Sequence, residues 1–399
     1  MKQLAKSKTT IMTNKKVKIC ALTTISKTMD WFIVDSMRNL SKNGYEVTLI
    51  CNMEEGFNER NEDYAHCINL PMSRGASLGD MIKMPWKLYK IFKKEQFDVI
   101  YYTTPNVSMY AAIAGVLAGV KCRFYNQCGL RYVSFEGKKR SVFKVIEKFT
   151  CILSTTIREQ SPMNRQFAID EGLCPAEKIS VVGIGGTTGV ELKSCDSFDA
   201  TETKRTLRKK YGILENGFVF GYVGRVNADK GINELITAFC ELQKQYDDIY
   251  LVLVGMIDDI NPIKSENMKI AQENDHIFLI GNVPPSEVYP HMSMFDVLTH
   301  ATYREGFGKV LQEAMGVRLP IITTNVPGPS EVVENGVSGI LCNAMDAEDL
   351  KEKMKLIYTD KDLRTRIAKA GRERAEKYFD RPIMLNNILV DMNKTLGLD

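Results

Sequence analysis

Two short stretches of the sequence bring fixed charge together with glycine. In the first, Val297-Leu298-Thr299 closes a short apolar strand, and Tyr303-Arg304-Glu305-Gly306-Phe307-Gly308 follows as a tight turn. Gly306 and Gly308 let the backbone turn and lie close to a ligand. Val310, Leu311, Ala314 and Met315 recur at helical spacing, which predicts a helix starting near Gly308 or Lys309. Its unpaired N–H groups and positive dipole end suit a phosphate. Glu305 precedes the turn and Glu313 lies within the first helical turns, so one carboxylate can meet a sugar while the other accepts from ribose hydroxyls. In the second stretch, Gly217 to Val223 reads as a strand running into Gly224-Arg225-Val226-Asn227-Ala228-Asp229-Lys230-Gly231. Arg225 and Lys230, in one loop at a strand's end, match a diphosphate: arginine as a bidentate fork, lysine as a point charge. The plainer alternatives are loop salt bridges to Asp229 and Glu234, and a solvated helix bearing two surface glutamates.

The Glu305-x7-Glu313 pattern within Tyr-Arg-Glu-Gly-Phe-Gly, followed by Leu319-Pro320-Ile321-Ile322-Thr323-Thr324, resembles the signature of family 4 retaining glycosyltransferases. The resemblance covers nearly the whole chain and is most specific from 217 to 345. It implies the GT-B fold, two doubly wound Rossmann-like α/β domains facing a central cleft with the C-terminal helix crossing back to the first. It also implies a donor between the domains, its diphosphate held by Arg225, Lys230 and the Gly306–Gly308 amides. Glu313 would hold the ribose, Glu305 would face the donor sugar, and Phe307 would belong to the donor turn. Val283, beyond the strand 277–280, would meet the nucleobase. Cys128-Gly129-Leu130-Arg131-Tyr132 and the glycine-rich Gly183–Gly189 resemble capsule-type members. They suggest a polyprenyl-diphosphate-linked sugar as acceptor, contacted by Asn126 and Arg131, and a UDP-hexose or UDP-N-acetylhexosamine as donor. The chain departs from better-known members where they carry paired glycines after the first strand; here stands Thr23-Thr24-Ile25-Ser26-Lys27. His66, the only histidine before residue 190, lies far from these loops, and no catalytic histidine is assigned.

The elements that must position these residues follow from the bulk sequence. A chain of 399 residues, 44% hydrophobic, is natural for two domains. The expected division is a leader over 1–15, an acceptor domain over 16–190, a donor domain over 191–380 and a closing helix over 381–399. The net charge of +4 is uneven: 28 Lys and Arg against 20 Asp and Glu in residues 1–200, 25 against 29 thereafter. The first half therefore suits an anionic partner. Ten scattered cysteines form no Cys-x2-Cys, which argues against zinc or a disulfide framework and fits a reducing cytoplasm. No run of about 18 apolar residues exists to span a bilayer, and residues 1–15 lack the apolar core of a signal peptide. No metal or cofactor is expected beyond the co-substrate.

Apolar strands at 17–22, 45–51, 68–70, 98–102, 121–125, 152–156 and 179–182 alternate with helices, the pattern of a parallel sheet. Thr23–Asp30, Thr103–Asn106 and Asn126–Arg131 read as polar loops at its ligand-binding edge. Gly183–Gly189 reads as a hinge. In the second half, strands are expected at 217–223, 250–254, 277–280, 296–299, 321–324 and 336–341, with a long helix over 346–378.

Two basic stripes stand apart. Lys83, Lys87, Lys90 and Lys94 share one helix face beside Trp86, and Arg140, Lys144 and Lys148 form a second, extended by Lys138 and Lys139. Such faces suit an anionic membrane surface, or are simply solvated. They predict a peripheral protein on the inner face of the plasma membrane. No recognition module for nucleic acid appears. Three rivals stand beside the transferase. A nucleotide-sugar epimerase or hydrolase of the same fold would be expected to carry a histidine in the cleft. A non-catalytic sugar-nucleotide-binding protein would not need all four charged residues. An NAD oxidoreductase would need a Gly-x-Gly-x2-Gly that the first strand lacks.

Overall fold

A computed structural model describes residues 16–72, 78–259 and 261–398. Two parallel sheets carry the chain. The first has seven strands: β1 (Lys18–Ile25), β2 (Glu46–Asn52), β3 (Ala65–Asn69), β4 (Val99–Tyr102), β5 (Cys122–Gln127), β6 (Thr156–Glu159) and β7 (Ile179–Val181), ordered β3-β2-β1-β4-β5-β6-β7. The second has six: β8 (Phe218–Val223), β9 (Ile249–Val254), β10 (Ile277–Gly281), β11 (Val297–His300), β12 (Ile321–Thr324) and β13 (Ile340–Cys342), ordered β10-β9-β8-β11-β12-β13. Every helical crossover returns to a parallel strand, and each sheet reverses its order beside its first strand, the switch point where such folds bind ligands.

The chain forms two compact units, residues 1–125 with 153–155, and residues 126–152 with 156–399. In the first, β1 pairs in parallel with β2 and β4. Its residues Ile19 to Leu22 are fully buried, as a central strand covered on both faces requires. In the second, alternate residues of β9 feed two apolar clusters. Ile249, Leu251 and Leu253 join Phe239 and Met354, while Tyr250, Val252 and Val254 join Leu311 and Phe379. That period-2 alternation puts a core on each face of the sheet.

Several elements differ from expectation. Thr23-Thr24-Ile25 extends β1 instead of opening a loop, because β-branched residues suit a strand, and a helix follows directly over Ser26–Phe32. The strand expected at 152–156 is displaced to Thr156–Glu159, since the helix Gly137–Leu153 runs through Ile152. The helix expected over 346–378 is broken: Asp360 ends Ala347–Thr359 and caps Lys361–Arg374, its Oδ1 accepting from the Leu363 N–H at 2.8 Å. The closing helix spans Arg381–Leu396, and Asp391 and Thr395 on it bind the β6 residue Arg158, each at 2.8 Å. Among the described residues no helix is long and apolar enough to cross a membrane.

Candidate active site

The residues that build the site belong to the second unit. The loop after β8 is pinned at three points. Asn227 Oδ1 accepts from the Lys230 N–H at 3.1 Å, making a short 3-10 turn over Ala228–Lys230. Gly231 then takes φ +68°, and a Cβ there would meet the carbonyl oxygen of Ala301 at 1.9 Å. Only glycine allows that approach. Asp229 completes the junction, its carbonyl accepting from the Tyr303 N–H at 2.9 Å and its carboxylate from Arg304 at 2.5 Å. Tyr303 donates its hydroxyl to Glu234 at 2.6 Å. Asp229 and Glu234, the alternative partners for Arg225 and Lys230, are thus used to join the two motif loops.

Lys230 instead sends Nζ to Glu305 Oε2, forming an ion pair at the mouth of the helix Lys309–Gly316. Gly308 caps that helix in the left-handed region at φ +98°, so the helix starts where the spacing predicted. Burial would raise the Glu305 carboxyl, but Lys230 and the Gly306 N–H outweigh it and hold the group below the usual glutamate range. Arg225 keeps its guanidinium largely exposed and donates to Asp258 Oδ2 at 2.9 Å; Asn227 Nδ2 donates to the same oxygen at 3.0 Å. Asp258 is buried, so it holds Arg225 from below and leaves the rest of the fork free to face outward. Glu313 is half-buried on the helix. Burial pushes its carboxyl up, opposed by Lys309 and Arg381.

Other expected contacts fall out differently. Phe307 is only 2% exposed and packs edge-on against Phe379, centroids 5.9 Å apart. It anchors the turn in the core, and what its position offers a ligand is backbone. Gly183–Gly189 is packed rather than an open hinge. A Cβ on Gly185 would meet Gln160 O at 2.4 Å and Phe307 Cε2 at 2.6 Å, and the Gly186 N–H donates to that same Gln160 carbonyl at 2.7 Å. Val283, just past β10, is half-buried against the core. Asn126 ends in a buried position with Nδ2 donating to Cys128 Sγ at 3.3 Å. The side chain of Arg131 lies outside the described residues.

Three partners of the turn escaped the sequence reading. Asn164 Nδ2 donates to the carbonyls of Gly306 at 2.9 Å and Glu305 at 3.3 Å. Its neighbour Met163 donates its N–H to Glu331 Oε1 at 2.8 Å, while Glu331 Oε2 accepts from Gly328 at 3.0 Å. Gln160 stands against Gly306, where a Cβ would meet its Oε1 at 2.8 Å, and donates Nε2 to Cys128 Sγ at 2.6 Å. The signal was present in Glu159-Gln160-Ser161-Pro162, a strand end followed by a capped helix start. The third is His300, the last residue of β11, 2% exposed, with Nε2 4.0 Å from Glu305 Oε2. Burial and the nearby Lys230 push its pKa down to about 4, so it stands neutral behind the pair. Tyr222 stacks on it, centroids 6.0 Å apart, and donates its hydroxyl to the Arg225 carbonyl at 2.8 Å.

The basic stripes also separate. On the helix Leu78–Glu95, Lys83, Lys87, Lys90 and Lys94 are all exposed. On Gly137–Leu153, Lys144 binds Glu171 at 2.7 Å and Arg140 stands 3.7 Å from it, so an internal carboxylate neutralises part of that stripe. Lys148 remains exposed.

Comparison with known proteins bears on the family and the fold. The family described as "Glycosyl transferases group 1" matches residues 203–374, and the one described as "Glycosyl transferase 4-like" matches 18–161. The chain is 31% identical over 372 residues to the capsular polysaccharide biosynthesis glycosyltransferase CapM of Staphylococcus aureus, covering 93% of this chain and 95% of that one. It is 26% identical to the Escherichia coli UDP-Gal:alpha-D-GlcNAc-diphosphoundecaprenol alpha-1,3-galactosyltransferase, covering 80% and 81%. The fold superposes on Anabaena HepE in complex with UDP and glucose with a TM-score of 0.79 at 20% identity, over 95% of this chain and all of that one. That likeness carries the fold alone. The chain belongs to the family 4-type, group 1 glycosyltransferases and has their GT-B fold.

Proposed function

We propose that this glycosyltransferase moves a hexose or N-acetylhexosamine from a UDP-sugar to a polyprenyl-diphosphate-linked sugar, with retention at the anomeric carbon and without a metal, in cell-surface polysaccharide synthesis. The observation that carries the reading is the Lys230–Glu305 pair at the mouth of the helix Lys309–Gly316, with Arg225 exposed in the same loop. Two fixed cations and a helix N-terminus supply what a departing diphosphate needs. The bond from the anomeric carbon to the diphosphate oxygen breaks while Lys230, Arg225 and the Gly306–Gly308 amides take up the developing charge. The acceptor oxygen bonds to the same face, and its proton passes to the leaving phosphate oxygen. Glu305 faces the sugar and Glu313 the ribose. Asn126 and Arg131 belong to the acceptor side.

The relatives support the substrate classes. The E. coli enzyme is named for a UDP-sugar donor and a diphosphoundecaprenol-linked acceptor, CapM for capsular polysaccharide, and HepE is complexed with UDP and glucose. Work on such an acceptor suits a protein on the cytoplasmic face of the plasma membrane. The exposed lysines 83, 87, 90 and 94 suit that surface, with Lys148 and the partly neutralised Arg140 and Lys144. The test is transfer from labelled UDP-sugars to polyprenyl-diphosphate-linked N-acetylglucosamine in the presence of EDTA, with the product's anomeric configuration read by NMR. Transfer with an α-linked product is expected. An inverted product, or transfer that EDTA abolishes, overturns retention or metal independence respectively.

A further inference from the structure

The helix Gly137–Leu153 turns large apolar side chains outward among its exposed basic residues. Its buried residues are Glu147, Thr150 and Cys151. Its exposed residues include Val142 at 57%, Val145 at 66%, Phe149 at 45% and Ile152 at 58%. Steps of three, four and three residues align these four along one ridge of the helix. An amphipathic helix on a globular protein normally turns such a ridge inward; four large apolar side chains facing out mark a surface that something covers.

The charges around the ridge decide what fits it. Lys138, Lys139 and Lys148 are exposed and form no ion pair among the described residues. The helix contains one acid, Glu147, which points inward and accepts from Gln127 Nε2 at 2.5 Å. Glu136, the nearest exposed acid, stands before the first turn. A second copy of the chain would bring these cations together and repel. A lipid surface with anionic headgroups matches both features, taking the apolar ridge into the acyl boundary and the lysines at the headgroups. The helix Leu78–Glu95, in the other compact unit, repeats the chemistry. It exposes Ile82 at 80% and Trp86 at 56% among its five exposed lysines, with Lys90 Nζ 5.7 Å from the Trp86 ring centroid. Tryptophan prefers the membrane interface.

We propose that Gly137–Leu153 lies flat on an anionic lipid surface with Val142, Val145, Phe149 and Ile152 inserted. This rests on the membrane part of the proposed function and deepens it: the anchoring element is an inserted apolar ridge, and the basic residues steer. It does not depend on the transfer chemistry.

The experiment is co-sedimentation of the full chain with vesicles of phosphatidylcholine alone or mixed with phosphatidylglycerol, at low and high salt. The variants are Val145→Asp with Phe149→Asp, and separately Lys138→Glu with Lys148→Glu. Both pairs are exposed, and circular dichroism confirms folding. The wild type is expected to bind the mixed vesicles, with high salt weakening but not abolishing binding. The aspartate pair is expected to lower affinity tenfold or more, and the lysine reversal about fivefold per residue. Binding unchanged by the aspartate pair overturns the ridge while leaving membrane association standing. Absence of wild-type binding overturns both. A dimer in sedimentation velocity that the aspartate pair dissolves assigns the ridge to a second copy and overturns the lipid proposal.

Discussion

Lys230 and Glu305, from different loops of the second sheet, form an ion pair at the start of the helix Lys309–Gly316. In the proposed reaction Lys230 meets the diphosphate, so an incoming diphosphate competes with Glu305 for it. Replacing Glu305 by Gln removes the competitor and also the carboxylate that the proposed reaction turns to the sugar. UDP affinity measured by calorimetry is expected to rise about threefold or more, while transfer falls at least a hundredfold. A parallel change in both quantities would contradict the division of roles.

The junction beneath the pair depends on a glycine. Gly231→Ala places a methyl group within 1.9 Å of the Ala301 carbonyl oxygen at φ +68°. Two effects add, the left-handed backbone and the collision with fixed main chain. The expected cost is about 2 kcal/mol or more, roughly 5 °C in melting temperature. Gly212, also left-handed but with nothing near its Cβ position, gives the control: Ala there should cost about half as much.

Glu159 gives the fold a pH dependence. It is 2% exposed, Oε2 accepts from the Gln160 N–H at 2.6 Å, and Oε1 has no hydrogen-bond partner. Burial raises its pKa from 4.5 to about 8, with Glu147 adding to the rise and the Gln160 and Ser161 amides opposing it. Between these values the folded chain binds a proton that the unfolded chain has lost, so this group's contribution to stability falls as pH rises through that window. Glu159→Gln removes the linkage. The variant is expected to gain on the wild type progressively from pH 5 to pH 8, reaching on the order of 3 kcal/mol, read as melting temperature against pH. A constant difference across that range would show that Glu159 does not titrate.

Asn164 is the donor to the carbonyls that shape the turn. Asn164→Ala removes two hydrogen bonds, each contributing about 1 kcal/mol. The turn amides should then lose alignment, weakening UDP about fivefold with little change in far-UV circular dichroism. Unchanged UDP affinity would show that the turn holds its shape unaided.

The second sheet was legible because its strands are continuous apolar runs between glycine-bearing loops. β9 is buried at every position, and the expected strand differs from it by one residue. The helix Gly137–Leu153 misled because its apolar residues face outward: Ile152 looked like the start of a strand and is instead the end of an exposed ridge. The break at Asp360 was written in the sequence as an N-cap, and the length of the helical pattern hid it. Within the site, Arg225, Lys230, Glu305 and the turn could be read because each lies in a compact local motif. Asn164 could not be read, since the carbonyls it holds are 141 and 142 residues away and backbone acceptors have no sequence signature. His300 lies one residue past the strand expected at 296–299, and its place beside Glu305 follows from its position at the end of β11.

The central claim is that Lys230 and Arg225 hold and stabilise the departing diphosphate. Its most direct test is the rate of sugar transfer by Lys230→Ala and Arg225→Ala, with UDP affinity measured on the same preparations. Each substitution is expected to lower transfer several hundredfold, about 3 to 4 kcal/mol of transition-state stabilisation, with melting temperature changed little. Losses of only a fewfold in folded protein would contradict the claim.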